Sequence, residues 1–298
     1  MTALQKKETA AFDLSEYKKN SRFREVLRMF LKNKLAVVGL VVFIFIVLVA
    51  VFADVIVDES LCYDISGEPL QGPSAEHPFG TDQIGRDYFA RIVHGARVSI
   101  VTGVAATALS MVFGAFIGCA CGYFGGWVDN LFMRFFDILN CVPGMMITLV
   151  LVAILGRGVE NIVYALAVSF TPAIARSIRS MVISLTDMEY IRCARTYGTN
   201  NFTIIVRHVM PNAMGLLLTN ATSAISSTIL AAAGYSYLGF GVQAPTAEWG
   251  AMVSLSQSYM RTAPFLTIIP GLAILITAAS VNLMGDGLRD ALDPKLRD

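Results

Sequence analysis

The sequence predicts an all-α polytopic membrane protein with six transmembrane helices. Three observations predict it. Of 298 residues, 55% are hydrophobic and only 15% charged, against roughly 45–50% and 25% in ordinary soluble domains. The apolar residues gather in six long runs. The basic residues fall unevenly between those runs.

A helix rises about 1.5 Å per residue, so a hydrocarbon core of about 30 Å takes about 20 apolar residues. The first run, 35–53, reads LAVVGLVVFIFIVLVAVFA. The others are 98–124, 138–156, 161–175, 213–240 and 265–285. The fourth is the shortest and is expected to extend to Arg176, whose side chain can snorkel. None of the six holds Asp, Glu, Lys, Arg or His.

Six crossings put both chain ends on one side. With the N-terminus inside, 18 of the 23 Lys and Arg residues fall in inside segments and 5 outside, the bias expected of cytoplasmic loops. The expected organisation is a cytoplasmic N-terminal segment 1–34, a first transmembrane helix 35–53 and an extracytoplasmic segment 54–97. A five-helix core 98–285 follows, containing a cytoplasmic loop 176–212, and then a cytoplasmic tail 286–298.

Residues 1–34 lack the short apolar core and small-residue cut site of a cleavable signal. Before the first span, Phe23, Val26, Leu27, Phe30 and Leu31 recur at helical spacing, with Arg22, Arg24, Arg28 and Lys32 on the other side. This predicts a basic amphipathic helix against the inner face of the lipid bilayer, acting as an orientation anchor.

In the second span, Gly114, Gly118 and Gly122 recur every four residues. Small residues at that spacing form a stripe where another helix can approach closely. Pro143, Pro172 and Pro270 predict kinks in later spans. In the fifth span Asn220, Ser223 and Ser227 recur at i, i+3 and i+7, with Ser226 beside them. They either line a wet pathway or join helices by hydrogen bonds. Segment 54–97 carries eight acidic residues against three arginines. It reads as a solvated loop, or as a surface that helps to receive an extracytoplasmic protein.

Several function classes are disfavoured. A net charge of +1 without a dense basic patch argues against nucleic acid. The five cysteines follow neither a disulfide nor a zinc spacing and are expected to be buried structural residues. His77, His94 and His208 lie outside the spans and far apart, so no metal site is expected. Spans without ionisable groups argue against an ion-driven carrier. No paired aspartates, Ser with a base, or HExxH appear, which argues against an intramembrane enzyme. With no GxxxxGK[ST], the chain has no phosphate-cradling loop, and active transport would draw its energy from a partner. The expectation is a non-enzymatic transport subunit, the alternative an ATP-independent channel or carrier.

One stretch breaks the apolar pattern: EYIRCARTYGTNNFTIIVRHVMPN, 189–212. It predicts a helix over 189–197, ended by Gly198 in the left-handed conformation. A second helical pattern, 201–209, puts Phe202, Ile205, Val206 and Val209 on one side, and Pro211 is expected to stop it before the fifth span. The result is a helix–turn–helix across the cytoplasmic mouth. On physics alone it is either a solvated amphipathic loop or a docking surface. The docking residues would be Glu189, Tyr190, Arg192, Ala194, Arg195, Gly198, Arg207 and Pro211.

That stretch resembles the cytoplasmic EAA loop of binding-protein-dependent ABC importer permeases. Ala194, Gly198 and Pro211 hold the second Ala, the Gly and the Pro of the pattern. Cys193 and Arg192 stand where the first Ala and the Glu are expected, and His208 stands at the usual Ile place. EYxxxAxxxG, beginning at Glu189, is similar to the variant of the peptide-type subfamily. HPFGTDQIGRDYFARIVHGARVSI (77–100), with Ala90 in place of a frequent Ser, APTAEWGAM (244–252) and NLMGDGLRDALDPKLRD (282–298) resemble segments of C-subunit permeases for dipeptides, oligopeptides and nickel.

The resemblance implies the type I ABC importer permease fold in a bacterial or archaeal cytoplasmic membrane. It implies a heteromeric complex with a sister permease, two ATP-binding subunits and an extracytoplasmic binding protein. This chain would hold no cofactor, ATP and Mg being bound by the partner subunits. Peptide is the expected substrate, with a nickel or other metal chelate as the alternative.

Overall fold

The structure is a computed structural model that describes residues 22–292, with side chains from residue 26 onward. The expected segments 1–34 and 286–298 lie partly outside that range, as do the side chains of Arg22, Phe23 and Arg24. Among the described residues there are helices, turns and two isolated bridges, and no strand.

Helix α1 (Arg22–Lys32) leads into α2 (Lys34–Val51) through Asn33. The Asn33 side chain accepts from the Ala36 N–H at 3.2 Å and caps α2, satisfying a donor with no partner inside the helix. A short α3 (Ala53–Ile56) follows. Then comes α4 (Tyr88–Phe124), which starts at Tyr88 rather than at the expected Val98. Its 37 residues make a rod of about 55 Å, longer than a hydrocarbon core of about 30 Å. The first turns, carrying Arg91, His94 and Arg97, are polar because they extend beyond the apolar stretch.

The third expected span, 138–156, is broken. Helix α5 (Gly126–Asn140) and α6 (Gly144–Leu155) meet at 90°. Pro143 has no N–H to continue the first helix and pushes Val142 out of the helical region, so the chain turns there. At 12 residues, α6 is about 18 Å long and too short to span alone. Among the described residues five helices are long and apolar enough to cross a membrane, six if the bent pair counts as one crossing.

Helix α7 (Val159–Thr186) continues ten residues past the expected limit at Arg176 and carries Arg176 and Arg179. Both face α5. Arg179 donates two hydrogen bonds to the Asp129 carboxylate, and Arg176 lies 3.9 Å from Asp137. Charge therefore enters α7 already matched by its neighbour.

After α7 come α8 (Glu189–Thr196), α9 (Asn201–Ile204), a π-helical turn Ile205–Val209, and α10 (Met210–Tyr237). Helix α11 (Trp249–Ser256) and α12 (Phe265–Leu292) complete the chain. Pro211 does not stop a helix as expected. It occupies the first turn of α10, where a missing N–H costs least. The helix passes through it because the preceding turn widens, Met210 N–H bonding back to Ile205 O.

The packing gives the bundle two distinct ends. At one, Phe30 of α1, Ala36 of α2 and Ala291 of α12 share a buried cluster. Asn33 Nδ2 lies 3.4 Å from Asp290 Oδ2, and Leu292 approaches Gly215. Here too Tyr123 of α4 packs with Ile191 and Ile204. At the other end, the Tyr88 hydroxyl bonds Leu266 O, and Trp249 Nε1 donates to Ile92 O at 3.0 Å. The second end lies under residues 57–87.

Candidate functional site: the turn between α7 and α10

The candidate site is a short bent arm at the first end of the bundle. Ile191, Ile204 and Val209 are fully buried and pack with Ile178, Val182 and Ala213. These apolar anchors press α8 and α9 onto α7 and α10. The pattern differs from the expected side of Phe202, Ile205, Val206 and Val209. Val209 is inside, but Phe202 is 71% exposed and Val206 is exposed, while Ile204 takes the buried place. The π turn shifts the helical register, so periodicity counted at 3.6 residues assigns the wrong side.

Gly198 has φ +74, and the turn is closed by Gly198 N–H to Arg195 O at 2.9 Å and Thr199 N–H to Ala194 O at 3.1 Å. A β-carbon on Gly198 would meet nothing within 4 Å. The glycine is therefore required by the backbone conformation, not by space. Asn200 caps α9 through Phe202 N–H at 3.2 Å.

Glu189, Tyr190, Arg192, Arg195, Arg207 and Pro211 are exposed, and Ala194 is half-buried. Arg192 lies 3.6 Å from Asp187, an exposed pair worth little. Asn212 Nδ2 donates to His208 O at 2.6 Å and to the Tyr190 hydroxyl at 3.3 Å, tying α8 to α10. The Arg195 guanidinium sits 4.7 Å over the ring of Tyr123. Tyr197 is 88% exposed, and with Phe202 and Met188, also exposed, it gives the arm apolar as well as basic surface. Residue type alone did not single out Tyr197 and Phe202. The usable signal was a large aromatic on either side of a glycine turn.

The expected pathway residues separate. Asn220 Nδ2 donates to Ser177 Oγ of α7 at 2.9 Å, and buried Ser226 donates to Ala278 O of α12 at 2.9 Å. Ser223 and Ser227 are exposed on another face, with Ser227 bonded only to Ser223 O of its own helix. Two of the four thus join helices, and two face outward from this chain. Gly114, Gly118 and Gly122 of α4 all pack against α7. Added β-carbons would come within 2.6 Å of Ile174, 2.5 Å of Ala175 O and 2.8 Å of Arg179 O respectively.

Segment 54–97 is not a uniformly solvated loop. Asp82 and Asp87 are buried. Asp82 accepts from Arg86 Nε at 2.6 Å and lies 3.6 Å from Arg91 Nε. Asp87 caps α4 through Ala90 N–H at 2.7 Å and bonds His77 Nδ1 at 2.7 Å. Arg91 also donates to Cys62 O at 2.8 Å and Pro245 O at 3.2 Å. Arg97 beside the exposed Asp54 lowers that carboxyl below its ordinary range. At the same end, burial pushes the Glu248 carboxyl up, although Gly250 and Ala251 N–H groups donate to it at 3.0 and 2.8 Å. Burial pushes the Cys62 thiol up to about 11. Cys62, Cys119 and Cys121 are buried as expected, but Cys141 and Cys193 are exposed. Cys141 sits at the break before α6 and Cys193 on α8, where neither is enclosed.

Residues 110–298 match the family described as the binding-protein-dependent transport system inner membrane component. The chain belongs to this family. Residues 21–73 of this permease match the N-terminal transmembrane domain of oligopeptide transport permease C. It is 42% identical to the dipeptide transport system permease protein DppC of Alkalihalophilus pseudofirmus over 282 residues, 95% of this chain and 93% of that one. It is 38% identical to the glutathione transport system permease protein GsiD of Pectobacterium atrosepticum over 279 residues, 92% of each chain. Among solved structures it resembles an inward-facing MetNI methionine ABC transporter, with TM-score 0.56 and 17% identity over 69% of this chain and 97% of that one. That likeness concerns the fold alone, and the fold is the type I importer permease fold. Both named relatives are bacterial, which supports the bacterial inner membrane and not the archaeal alternative.

Proposed function

We propose that this permease forms half of the translocation pathway of a peptide importer and performs no chemistry of its own. The observation that carries the reading is the anchored arm. Ile191 and Ile204 bury one side of it, while Tyr190, Arg192, Tyr197 and Phe202 are exposed on the other. An arm held this firmly to the bundle, yet open along its outer side, suits contact with a second protein.

The N-terminus and the α8 arm lie in the cytoplasm, a placement the basic-residue bias supports. An ATP-binding subunit receives α8 in a groove, a second ATP-binding subunit receives the equivalent arm of a sister permease, and ATP and Mg stay with those subunits. Closure of the ATPase pair moves the arm, and the bundle exchanges inward- for outward-facing access. An extracytoplasmic binding protein delivers the ligand on the opposite side, where residues 57–87 lie. The ligand is a dipeptide or a short peptide such as glutathione, the classes carried by the two named relatives. Ser223 and Ser227 are the pathway side chains, neutral hydroxyls that can accept and donate to a peptide backbone.

Gly198→Ile tests the arm. Its φ of +74 strains a β-branched residue whatever the space around it. The variant is expected to insert and assemble at wild-type levels yet lose ATP-driven peptide uptake. Wild-type uptake by Gly198→Ile would refute the reading. Purification of the wild-type complex is expected to bring down an ATPase with a Walker A sequence.

A further inference from the structure

We infer that Tyr123 is a positioning residue that locks both halves of the arm to α4, so that a push on α8 reaches the transmembrane bundle. This rests on the functional reading above. By covalent connection alone the arm would be a poor lever. It joins α7 through the bend at Asp187 and Met188, and α10 through the π turn Ile205–Val209. The two halves meet at the Gly198 turn, where even a β-carbon on the glycine would meet nothing within 4 Å. A displacement applied to α8 can be absorbed at each of these joints.

Tyr123 spans the weakest of them. It lies in the last turn of α4, 8% exposed, within the cluster of Ile178, Val182, Ile191 and Ile204. Its hydroxyl donates to Asn201 Oδ1 at 2.7 Å, on the α9 side of the turn. Its ring carries the Arg195 guanidinium at 4.7 Å, on the α8 side. One side chain thus grips the arm before and after Gly198. Its own helix cannot slide, because Gly114, Gly118 and Gly122 set α4 in backbone contact with α7. Tyr123 is therefore the point where the arm joins the rigid α4–α7 pair. It also puts Arg195 partly against the bundle, so Arg195 serves the hinge as well as the outer surface.

The test uses the whole complex, reconstituted with its ATP-binding subunits and binding protein in proteoliposomes. A radiolabelled dipeptide, with labelled glutathione in parallel, is counted per ATP hydrolysed. Tyr123→Phe keeps the ring and the volume and loses the bond to Asn201. Tyr123→Leu loses both grips. Transported molecules per ATP are expected to fall about threefold in Tyr123→Phe and about tenfold in Tyr123→Leu, one hydrogen bond and one cation–π contact being removed in turn.

Asn201→Ala should match Tyr123→Phe, and the double variant should be no worse than either single, since both remove one bond. A space-filling role alone would lower uptake and hydrolysis together and leave their ratio unchanged. An unchanged ratio in both Tyr123 variants, or additive losses in the double variant, overturns the inference. Benzophenone maleimide on the exposed Cys193, in a Cys141→Ser background, is applied to the same vesicles. Failure of wild-type Cys193 to cross-link to the ATPase would bring down the functional reading and this inference with it. A cross-link with an unchanged ratio brings down this inference alone.

Discussion

Gly118 of α4 meets Ala175 of α7 almost backbone to backbone, so that a β-carbon on Gly118 would lie 2.5 Å from the Ala175 carbonyl oxygen. No side chain can yield there, because the obstructing atom belongs to the main chain. Gly122 repeats the relationship one helical turn away against the Arg179 carbonyl oxygen, and Gly114 one turn the other way against the Ile174 side chain. Close approach of this kind replaces the hydrophobic drive that helices lack in lipid.

Gly118→Leu should therefore destabilise the protein by about 3 kcal/mol or more, at the upper end of overpacking costs. Gly234 of α10 is the control, since a β-carbon there meets nothing within 4 Å. Gly234→Ala should be neutral or stabilise by up to about 1 kcal/mol, because alanine favours a helix. Thermal unfolding of both variants in nanodiscs, followed by tryptophan fluorescence, compares them directly.

Asp82 is 1% exposed and is the carboxylate that faces both Arg86 and Arg91. Asp82→Ala strands two buried guanidinium groups and should cost about 3–5 kcal/mol. Asp64→Ala, at an exposed position of the same segment, should stay within about 0.5 kcal/mol. Equal melting temperatures for the two variants would contradict the burial of this ion network.

Asn220 is half-buried and bonded to Ser177 at 2.9 Å, whereas Ser223 and Ser227 are exposed. Asn220→Leu is expected to lower stability by about 0.6–1.7 kcal/mol, the range for polar contacts between membrane helices. Ser223→Ala and Ser227→Ala should leave the melting temperature unchanged and alter the competition between peptides in an uptake assay. A change of specificity in Asn220→Leu without loss of stability would move that residue back to the pathway.

With a thiol pKa near 11, Cys62 holds only about one per cent thiolate even at pH 9. Raising the pH from 7 to 9 should leave it unmodified by iodoacetamide while the chain stays folded. Cys193 and Cys141, both exposed, should react readily across that range. Mass spectrometry of the peptides reads each cysteine separately, and early labelling of Cys62 would show that its burial is wrong.

The legible parts of the site were those set by local chemistry. Gly198 ends α8 because a left-handed residue is needed there, whereas Pro211, expected to stop a helix, sits in the first turn of α10, where it needs no N–H. The buried side of the arm was misread, because the π turn at Ile205–Val209 changes the spacing on which periodicity depends. Segment 54–97 was misread for a related reason. A count of charges does not tell which of them pair, and Asp82 with Arg91 pair only when the segment folds over the start of α4.

The sequence by itself determined the number and placement of the apolar runs, the bias of basic residues, and the small stripe on α4. Each follows from local composition, because a bilayer demands apolar length and a helix repeats every 3.6 residues. Only the tertiary structure decided that the kink expected at Pro143 is a full 90° break, that Asn220 and Ser226 join helices while Ser223 and Ser227 face away, and that Tyr123 holds Asn201 and Arg195 together. Those outcomes depend on partners distant in sequence. No local rule says which of several polar side chains will find a neighbour once the helices are packed.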